Sequence, residues 1–82
     1  WFRALSLGIQ AGIAGGTSPA IYNGANEAAV SLFLKGQIGF TEIWQQIEAA
    51  LNKVAQGPGI SFEEIAEADR MARQAVLERS QG

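Results

Sequence analysis

Glycine and proline break this chain into four segments, and each segment has the apolar spacing of an α-helix. The breaks lie at Gly15-Gly16, at Gly36 and at Gly57-Pro58-Gly59. Glycine accepts the left-handed conformation that ends a helix, and proline interrupts one. No alternating apolar pattern predicts a strand. The sequence therefore predicts an all-α fold, a small four-helix bundle, with residues 1–82 forming a single helical domain.

The first segment predicts a helix from about Phe2 to Ala14. Its large apolar residues recur at helical spacing, with Leu7 to one side: Phe2, Leu5, Ile9 and Ile13. Gly8 and Gly12 are spaced by four and therefore share one face, although each costs about 1 kcal/mol of helix propensity against alanine. We interpret them as a surface for close helix packing rather than as a ligand contact.

The second segment predicts the central helix of the fold. Thr17-Ser18 offers an N-cap hydroxyl, and Pro19 suits the first helical position. Residues 20–34 are apolar on nearly all sides, which is typical of a helix that packs on several neighbours. The exceptions form one polar stripe: Asn23, Asn26 and Glu27.

Three interpretations of this polar stripe are open. It is a metal or substrate site, a hydrogen-bond network that ties the helix to a neighbour such as the Gly16–Ser18 turn, or a face that meets another domain. We favour a structural polar network of Asn23, Asn26 and Glu27, because buried polar groups need hydrogen-bond partners. If that network is buried, Glu27→Ala should destabilise the domain by about 1–3 kcal/mol.

The last two helices are predicted from their caps. Thr41 is the predicted N-cap of the third helix. Ser61 and Glu64 predict a capping box at the start of the fourth helix, flanked by a staple of Ile60 and Ile65. The apolar stripe of the third helix comprises Ile43, Ile47, Leu51 and Val54, with Ala50 beside it and Gln46 elsewhere. The buried stripe of the fourth comprises Ile65, Ala68, Ala72, Ala75 and Val76.

The chain contains no cysteine and no histidine, which excludes several classes of site. A disulfide framework, a thiolate nucleophile, the usual zinc ligands and a Ser-His-Asp triad cannot exist within these residues. A net charge of -2 does not fit a nucleic-acid partner, and the apolar run 28–34 is too short to span a membrane. Charges are rare in residues 1–41, so we expect this half to meet another surface.

Carboxylates are the remaining candidate catalytic groups. Four of them cluster in the last helix: Glu63, Glu64, Glu67 and Asp69. They share that helix with arginines, so we interpret them as a solvated face rather than a magnesium site. The glycine run 12–16 follows a helix instead of a strand, so we expect no cofactor loop there. The sequence therefore predicts no catalytic, cofactor-binding or metal-binding residue.

The aromatic residues are interpreted as core or interface anchors rather than as a platform for stacking bases. The set comprises Trp1, Phe2, Phe40, Trp44 and Phe62.

One motif is more specific than composition. It is Asn23-Gly24-Ala25-Asn26-Glu27, preceded by a glycine turn and a small-residue cap and followed, after an apolar helix, by Ile38-Gly39-Phe40-Thr41-Glu42-Ile43. This arrangement resembles the C-terminal region of the 1-deoxy-D-xylulose 5-phosphate reductoisomerase family, where the pattern is N-A-A-N-E and then I-x-F-x-D/E-I. Phe2-x-x-Leu5-x-Leu7 and residues 67–73 match the family's preceding and last helices, so the resemblance covers essentially the whole chain.

The chain departs from the family pattern at four positions. Arg3 stands where the family usually has proline, Gly24 replaces alanine, and Gly8 and Gly12 are unusual. These departures either lower helix stability or mark a divergent branch.

The resemblance implies a parent enzyme that converts 1-deoxy-D-xylulose 5-phosphate to 2-C-methyl-D-erythritol 4-phosphate in the non-mevalonate route to isoprenoid precursors. Such enzymes use NADPH and Mg or Mn, and they are homodimers of the bacterial cytoplasm or of plastids. Each has an N-terminal NADPH domain, a central catalytic domain and a helical C-terminal domain. The metal ligands and phosphate-binding residues lie in the central domain, and none maps onto this sequence.

The resemblance therefore implies that this segment supports the catalytic domain, its expected partner, and is inactive alone. The alternative is a free-standing helical protein-interaction module with no enzymatic parent.

Overall fold

Four α-helices form the chain in a computed structural model, which describes residues 2–81. They are α1 (Phe2–Ala14), α2 (Ser18–Leu34), α3 (Glu42–Lys53) and α4 (Phe62–Gln81). No strand occurs within the described residues. The predicted all-α, four-helix fold is confirmed.

Helix α2 lies at the centre, because it packs against all three other helices. Helix α1 packs on α2 and α3, and α4 also packs on α2 and α3, but within residues 2–81 α1 and α4 do not touch. A helix between several neighbours must bury most of its surface, and this is why residues 20–34 are apolar on nearly all sides. Its buried side chains include Ile21, Ala25, Ala28, Ala29 and Leu32.

Gly24 of α2 permits a close approach of α4. A Cβ atom at Gly24 would lie 2.7 Å from the carbonyl oxygen of Asp69 and still closer to one of its carboxylate oxygens. Backbone cannot move aside as a flexible side chain can, so the glycine is a packing requirement in this structure. This contact gives a physical reason for the departure from the alanine of the family pattern.

The predicted close-packing face of Gly8 and Gly12 is wrong at one of its two positions. A Cβ at Gly8 would meet the ring of Tyr22 at 2.9 Å, so Gly8 makes room for this side chain. The Tyr22 hydroxyl donates to the Ala4 carbonyl oxygen at 3.2 Å. At Gly12, no atom of the described residues comes within 4 Å of the added carbon, because this part of α1 faces outward.

Two turns at one end of the bundle are joined by hydrogen bonds. The Thr17 amide donates to the Gly57 carbonyl oxygen at 2.9 Å, and the Gly57 amide donates to the Thr17 hydroxyl oxygen at 2.8 Å. The Ser18 hydroxyl donates to Oε1 of Gln56 at 2.6 Å. The predicted N-cap role of these hydroxyls is therefore wrong, because both bond to the turn between α3 and α4 instead of to α2.

The caps of α3 and α4 differ in detail from the prediction. The Thr41 side chain makes no capping hydrogen bond, and the Glu42 carboxylate instead accepts from the Gly39 amide at 2.9 Å. The Glu64 amide donates to the Ser61 hydroxyl at 3.1 Å, which confirms half of the capping box. The Glu64 carboxylate reaches one residue further than predicted and accepts from the Ile60 amide at 3.0 Å.

Two side chains lie in the opposite environment to the predicted one. Gln46, placed off the apolar stripe of α3, is buried, and its Oε1 atom has no hydrogen-bond partner within residues 2–81. Ile65, placed on the buried stripe of α4, is exposed, as are Ile60 and Phe62. The first turn of α4 is therefore not covered by the bundle, and Ile60 does not pack as a staple.

Candidate interaction surface

The outer side of α1 is an exposed apolar stripe, which we call the α1 apolar face. It consists of Phe2, Leu5, Ile9 and Ile13, which are 79%, 45%, 55% and 82% exposed. These are the residues that recur at helical spacing in the sequence, and the helix that they predict is confirmed. The side of α1 that packs on the bundle is instead formed by Leu7 and Ala11. Helix α1 is therefore apolar on both sides.

No charged side chain lies on the α1 apolar face. Arg3 is the only charged residue of α1, and its guanidinium pairs with the Glu48 carboxylate of α3. The same guanidinium carbon lies 5.9 Å from the centre of the Trp44 ring, in cation–π geometry. Arg3 thus points toward α3, and the stripe beside it is left without charge.

Covering the α1 apolar face would contribute substantially to stability. Complete burial of a large apolar side chain contributes about 1.5–3 kcal/mol, so covering the exposed parts of these four contributes about 4–8 kcal/mol. Soluble proteins rarely leave such a continuous stripe in water without a function for it. The stripe is therefore the strongest candidate for a contact with another protein surface.

An apolar groove continues from this face onto α2 and α3. It has a volume of about 260 Å³ and is lined by Ala4, Leu5, Tyr22, Asn26, Val30, Phe40, Ile43 and Trp44. Leu5 belongs to both features and joins them. One wall is held by the Phe40 ring, which packs edge-on against Phe33 with 5.8 Å between ring centres. Asn26 is a polar group in a mostly apolar lining, so its amide can form a hydrogen bond with an occupant of the groove.

The polar stripe of α2 is divided between two environments. The Asn23 amide donates to the Glu27 carboxylate at 3.2 Å, and both side chains are exposed. Asn26 is half-buried in the groove, and its side chain has no hydrogen-bond partner among the side chains and backbone of residues 2–80. The structure therefore brings Asn23 and Glu27 together and places Asn26 apart from them.

Glu27 connects α2 to α4 and not to the turn at Gly16–Ser18. Its carboxylate accepts from Arg73 at 2.9 Å, while Arg73 also donates to Asp69 at 3.1 Å. These hydrogen bonds, first the one to Asp69 and then the one to Glu27, raise the pKa of Arg73 above its ordinary value. The Glu27 side chain is 54% exposed, so water screens the pair and its contribution to stability is below about 1 kcal/mol.

Three of the four clustered acidic residues of α4, namely Glu64, Glu67 and Asp69, are engaged in local hydrogen bonds. Arg70 donates twice to the Glu67 carboxylate, at 2.8 Å each, and this lowers the pKa of Glu67. Asp69 faces Arg73, and Glu64 binds the Ile60 amide. Within residues 2–81, no three side chains of a metal-ligating type converge. The donor set of the described residues therefore does not fit a divalent metal ion.

The glycine turn before α2 does not form a phosphate cradle. Gly16 has a φ of +57°, and a Cβ built there would overlap the Gly57 carbonyl oxygen. Gly59 also lies against Gly16, with 3.2 Å between its own added Cβ and the Gly16 Cα. The space beside this turn is filled by the second turn, so the turn does not fit the phosphates of NADPH.

The predicted aromatic anchors divide between the surface and the edge of the core, against which Trp44 packs. Phe2, Phe40 and Phe62 are exposed, and Trp44 is half-buried. Trp1 lies outside the described residues. Of the two roles expected for these aromatic side chains, the exposed positions match interface anchors.

Sequence reasoning missed the contacts between the two turns, although one signal was present. Thr17 and Ser18 follow two glycines, and a second glycine-rich break lies about forty residues later. Two breaks of this kind in one small bundle are candidates to meet, but the sequence does not show which groups would bond.

Membrane insertion is a separate question, and within residues 2–81 no helix combines the length and apolar character needed to cross a bilayer.

Comparison with known proteins gives one consistent answer. A family model described as "DXP reductoisomerase C-terminal domain" matches residues 1–75. A 1-deoxy-D-xylulose 5-phosphate reductoisomerase of Leptospira borgpetersenii is 50% identical over 76 residues, which are 93% of this chain and 20% of that protein. The enzyme of the same name from Pelotomaculum thermopropionicum is 50% identical over 74 residues, 88% of this chain and 19% of that protein. The one from Exiguobacterium sibiricum is 46% identical over 79 residues, 96% of this chain and 21% of that protein.

The chain thus spans about a fifth of the length of these relatives. The predicted family resemblance is confirmed, because the family model covers nearly all of the sequence and three separate relatives agree with it. The chain belongs to the DXP reductoisomerase C-terminal domain family.

Proposed function

We propose that this chain is the helical C-terminal domain of a complete 1-deoxy-D-xylulose 5-phosphate reductoisomerase, and that it braces the catalytic domain of that enzyme. The observation that carries the proposal is the match of the family model to residues 1–75. The relatives are about five times as long as the region that they share with this chain. The α1 apolar face supports it, because a bracing domain needs an apolar contact surface.

The activity of the parent enzyme belongs to the same proposal. It converts 1-deoxy-D-xylulose 5-phosphate to 2-C-methyl-D-erythritol 4-phosphate with NADPH and Mg or Mn, in non-mevalonate isoprenoid biosynthesis. The parent is a homodimer, and the bacterial origin of the three relatives favours the bacterial cytoplasm over a plastid. NADPH and the metal ion are held by other parts of the enzyme, since the donor sets described above do not fit them.

The role of residues 1–82, a single helical domain in this proposal, is structural. Asn23 and Glu27 form an exposed polar network with Arg73 that links α2 to α4. Asn26 completes the polar stripe on the side of the groove. None of these residues is assigned a catalytic step.

An activity assay on two proteins tests the proposal. The full-length product of the reading frame that contains this chain is incubated with 1-deoxy-D-xylulose 5-phosphate, Mn and NADPH, and the absorbance of NADPH is followed. We expect turnover by the full-length protein and none by the 82-residue chain above a control without protein. Turnover by the isolated chain would contradict the supporting role.

The rival function is a free-standing interaction module, and the reading frame distinguishes it. An upstream G-x-G-x-x-G segment and a carboxylate metal site in the same frame support the enzyme. A start codon close before Trp1 supports the module, and an inactive full-length product would count against the enzyme as well.

A further inference from the structure

We propose that the α1 apolar face and the adjoining groove are the surface on which this domain docks against the remainder of its own polypeptide. The proposal rests on the proposed function and deepens it, because it assigns the contact to one side of the bundle. It also defines the chemistry of the partner surface, which is mainly apolar and places a hydrogen-bonding group opposite Asn26.

The distribution of charge selects this side of the bundle. The exposed surface of α4 carries Glu63, Glu67, Arg70 and Glu78, which favour water. The α1 apolar face carries no charge, and α1 does not touch α4 within the described residues. The α1 apolar face is therefore an uncharged apolar stripe that gains by being covered, whereas the exposed apolar side chains of α4, such as Phe62 and Met71, are interspersed with charged residues.

The contact extends beyond α1 in two directions. Leu5 leads into the groove, where Asn26 is half-buried without a hydrogen-bond partner among residues 2–80. A covering surface must satisfy this amide, because a polar group buried without a partner is costly. At the other end of α1, Gly59 lies against Gly16, so the exposed Ile60 side chain sits at the same end of the bundle as Ile13.

The remainder of the same chain is a better occupant than a second copy of this domain. The relatives are about five times as long as the region they share with this chain, so most of such a protein is available to cover the surface. A surface on the same polypeptide meets α1 at an effective concentration of about millimolar order, whereas a second copy must be recruited from solution.

Thiol accessibility in the full-length protein tests the proposal. This chain has no cysteine, so Ile9→Cys and Met71→Cys each place a single thiol in it, on α1 and on α4 respectively. In the isolated structure Ile9 is 55% exposed and Met71 is 40% exposed, so an undocked domain should react with maleimide faster at position 9. Docking reverses this order. In the full-length protein we therefore expect the thiol at position 9 to react about tenfold more slowly than the thiol at position 71.

Crosslinking identifies the surface that covers the α1 apolar face. A benzophenone side chain replaces Ile13 in the full-length protein, and the crosslinked peptides are identified by mass spectrometry. Peptides from outside the 82 residues support the proposal, whereas peptides from α1 of a second copy overturn it. Equal or faster maleimide reaction at position 9 than at position 71 also overturns it.

The same samples separate this proposal from the proposed function. An active reductoisomerase with an accessible thiol at position 9 overturns the docking surface and leaves the function standing. A protein without reductoisomerase activity, in which position 9 is protected and crosslinks fall outside the 82 residues, supports the docking surface and contradicts the function.

Discussion

Removing one hydroxyl from Thr17 tests whether the contact between the two turns stabilises the bundle. Thr17 is 2% exposed, and its hydroxyl oxygen accepts the Gly57 amide at 2.8 Å. Valine has nearly the same shape but cannot accept a hydrogen bond. Thr17→Val therefore leaves the Gly57 amide without the partner that it has in this structure.

The magnitude follows from the burial of both groups. A hydrogen bond contributes about 0.5–1.5 kcal/mol net, and a stranded buried donor costs about 1–3 kcal/mol. Gly57 is only half-buried, so water reaches its amide in part, and we expect a loss of about 1–2 kcal/mol. For a domain of this size each kcal/mol lowers Tm by about 4–8 °C.

Thermal unfolding followed by circular dichroism measures this loss, with Thr41→Val as the matched control. Thr41 is exposed and its side chain makes no capping hydrogen bond, so the same substitution there should change stability by less than about 0.5 kcal/mol. Equal Tm changes for the two variants would refute the reasoning.

Amide exchange at Gly57 separates the lost hydrogen bond from altered packing. Thr17→Ser keeps the acceptor oxygen and loses only a methyl group, so it should preserve the protection of the Gly57 amide. Thr17→Val should reduce that protection by a factor of about 5–30, which corresponds to one to two kcal/mol. Unchanged protection in Thr17→Val would show that the Gly57 amide does not depend on this hydroxyl.

Three further predictions concern helix packing and charge. Gly12→Ala should stabilise the chain by up to about 1 kcal/mol, because the site is open. Gly24→Ala should destabilise it by about 1–2 kcal/mol, because the new Cβ meets the Asp69 carbonyl oxygen. Changes in Tm of the same sign for the two variants would contradict this reasoning. Glu27→Ala should cost less than about 1 kcal/mol by urea unfolding, and a larger loss would show a buried network. Glu67→Gln should lower Tm slightly at neutral pH but not in acid, because only the ionised carboxylate pairs with Arg70.

The sign of the Glu67 effect follows from its lowered pKa. Arg70 stabilises the carboxylate, so the pKa of Glu67 in the folded chain lies below its ordinary value of 4.5. Its contribution is therefore complete above about pH 4.5 and disappears as the pH falls through the folded pKa. The group is exposed, so the change in Tm is small. A Tm difference between the parent chain and Glu67→Gln that persists unchanged at acid pH would contradict the pairing.

The helices were predictable because their signals are local. Gly15 and Gly16 adopt positive φ at the end of α1, and Pro19 follows the start of α2, as their residue types indicate. The hydrogen-bond partners of the Thr17 and Ser18 hydroxyls were not predictable from local signals. Their partners lie about forty residues away in sequence, and only the packing of the helices brings them together.

Periodicity identified the apolar residues of α1 but not the side that the bundle covers. Phe2 and Ile13 have the spacing of a core stripe, yet the bundle covers Leu7 and Ala11. The burial of Gln46 has the same origin, because residue type is only a weak guide to position when a helix contacts two neighbours.

The composition of α1 nevertheless contained the decisive signal. A helix at the edge of a bundle needs one apolar side and one polar side, but α1 has apolar residues on both and a single charge that turns toward α3. Such a helix is typical of a position between two layers, of which this bundle supplies only one. The scarcity of charge in residues 1–41 therefore fits the docking surface that we propose, in which the rest of the protein supplies the second layer.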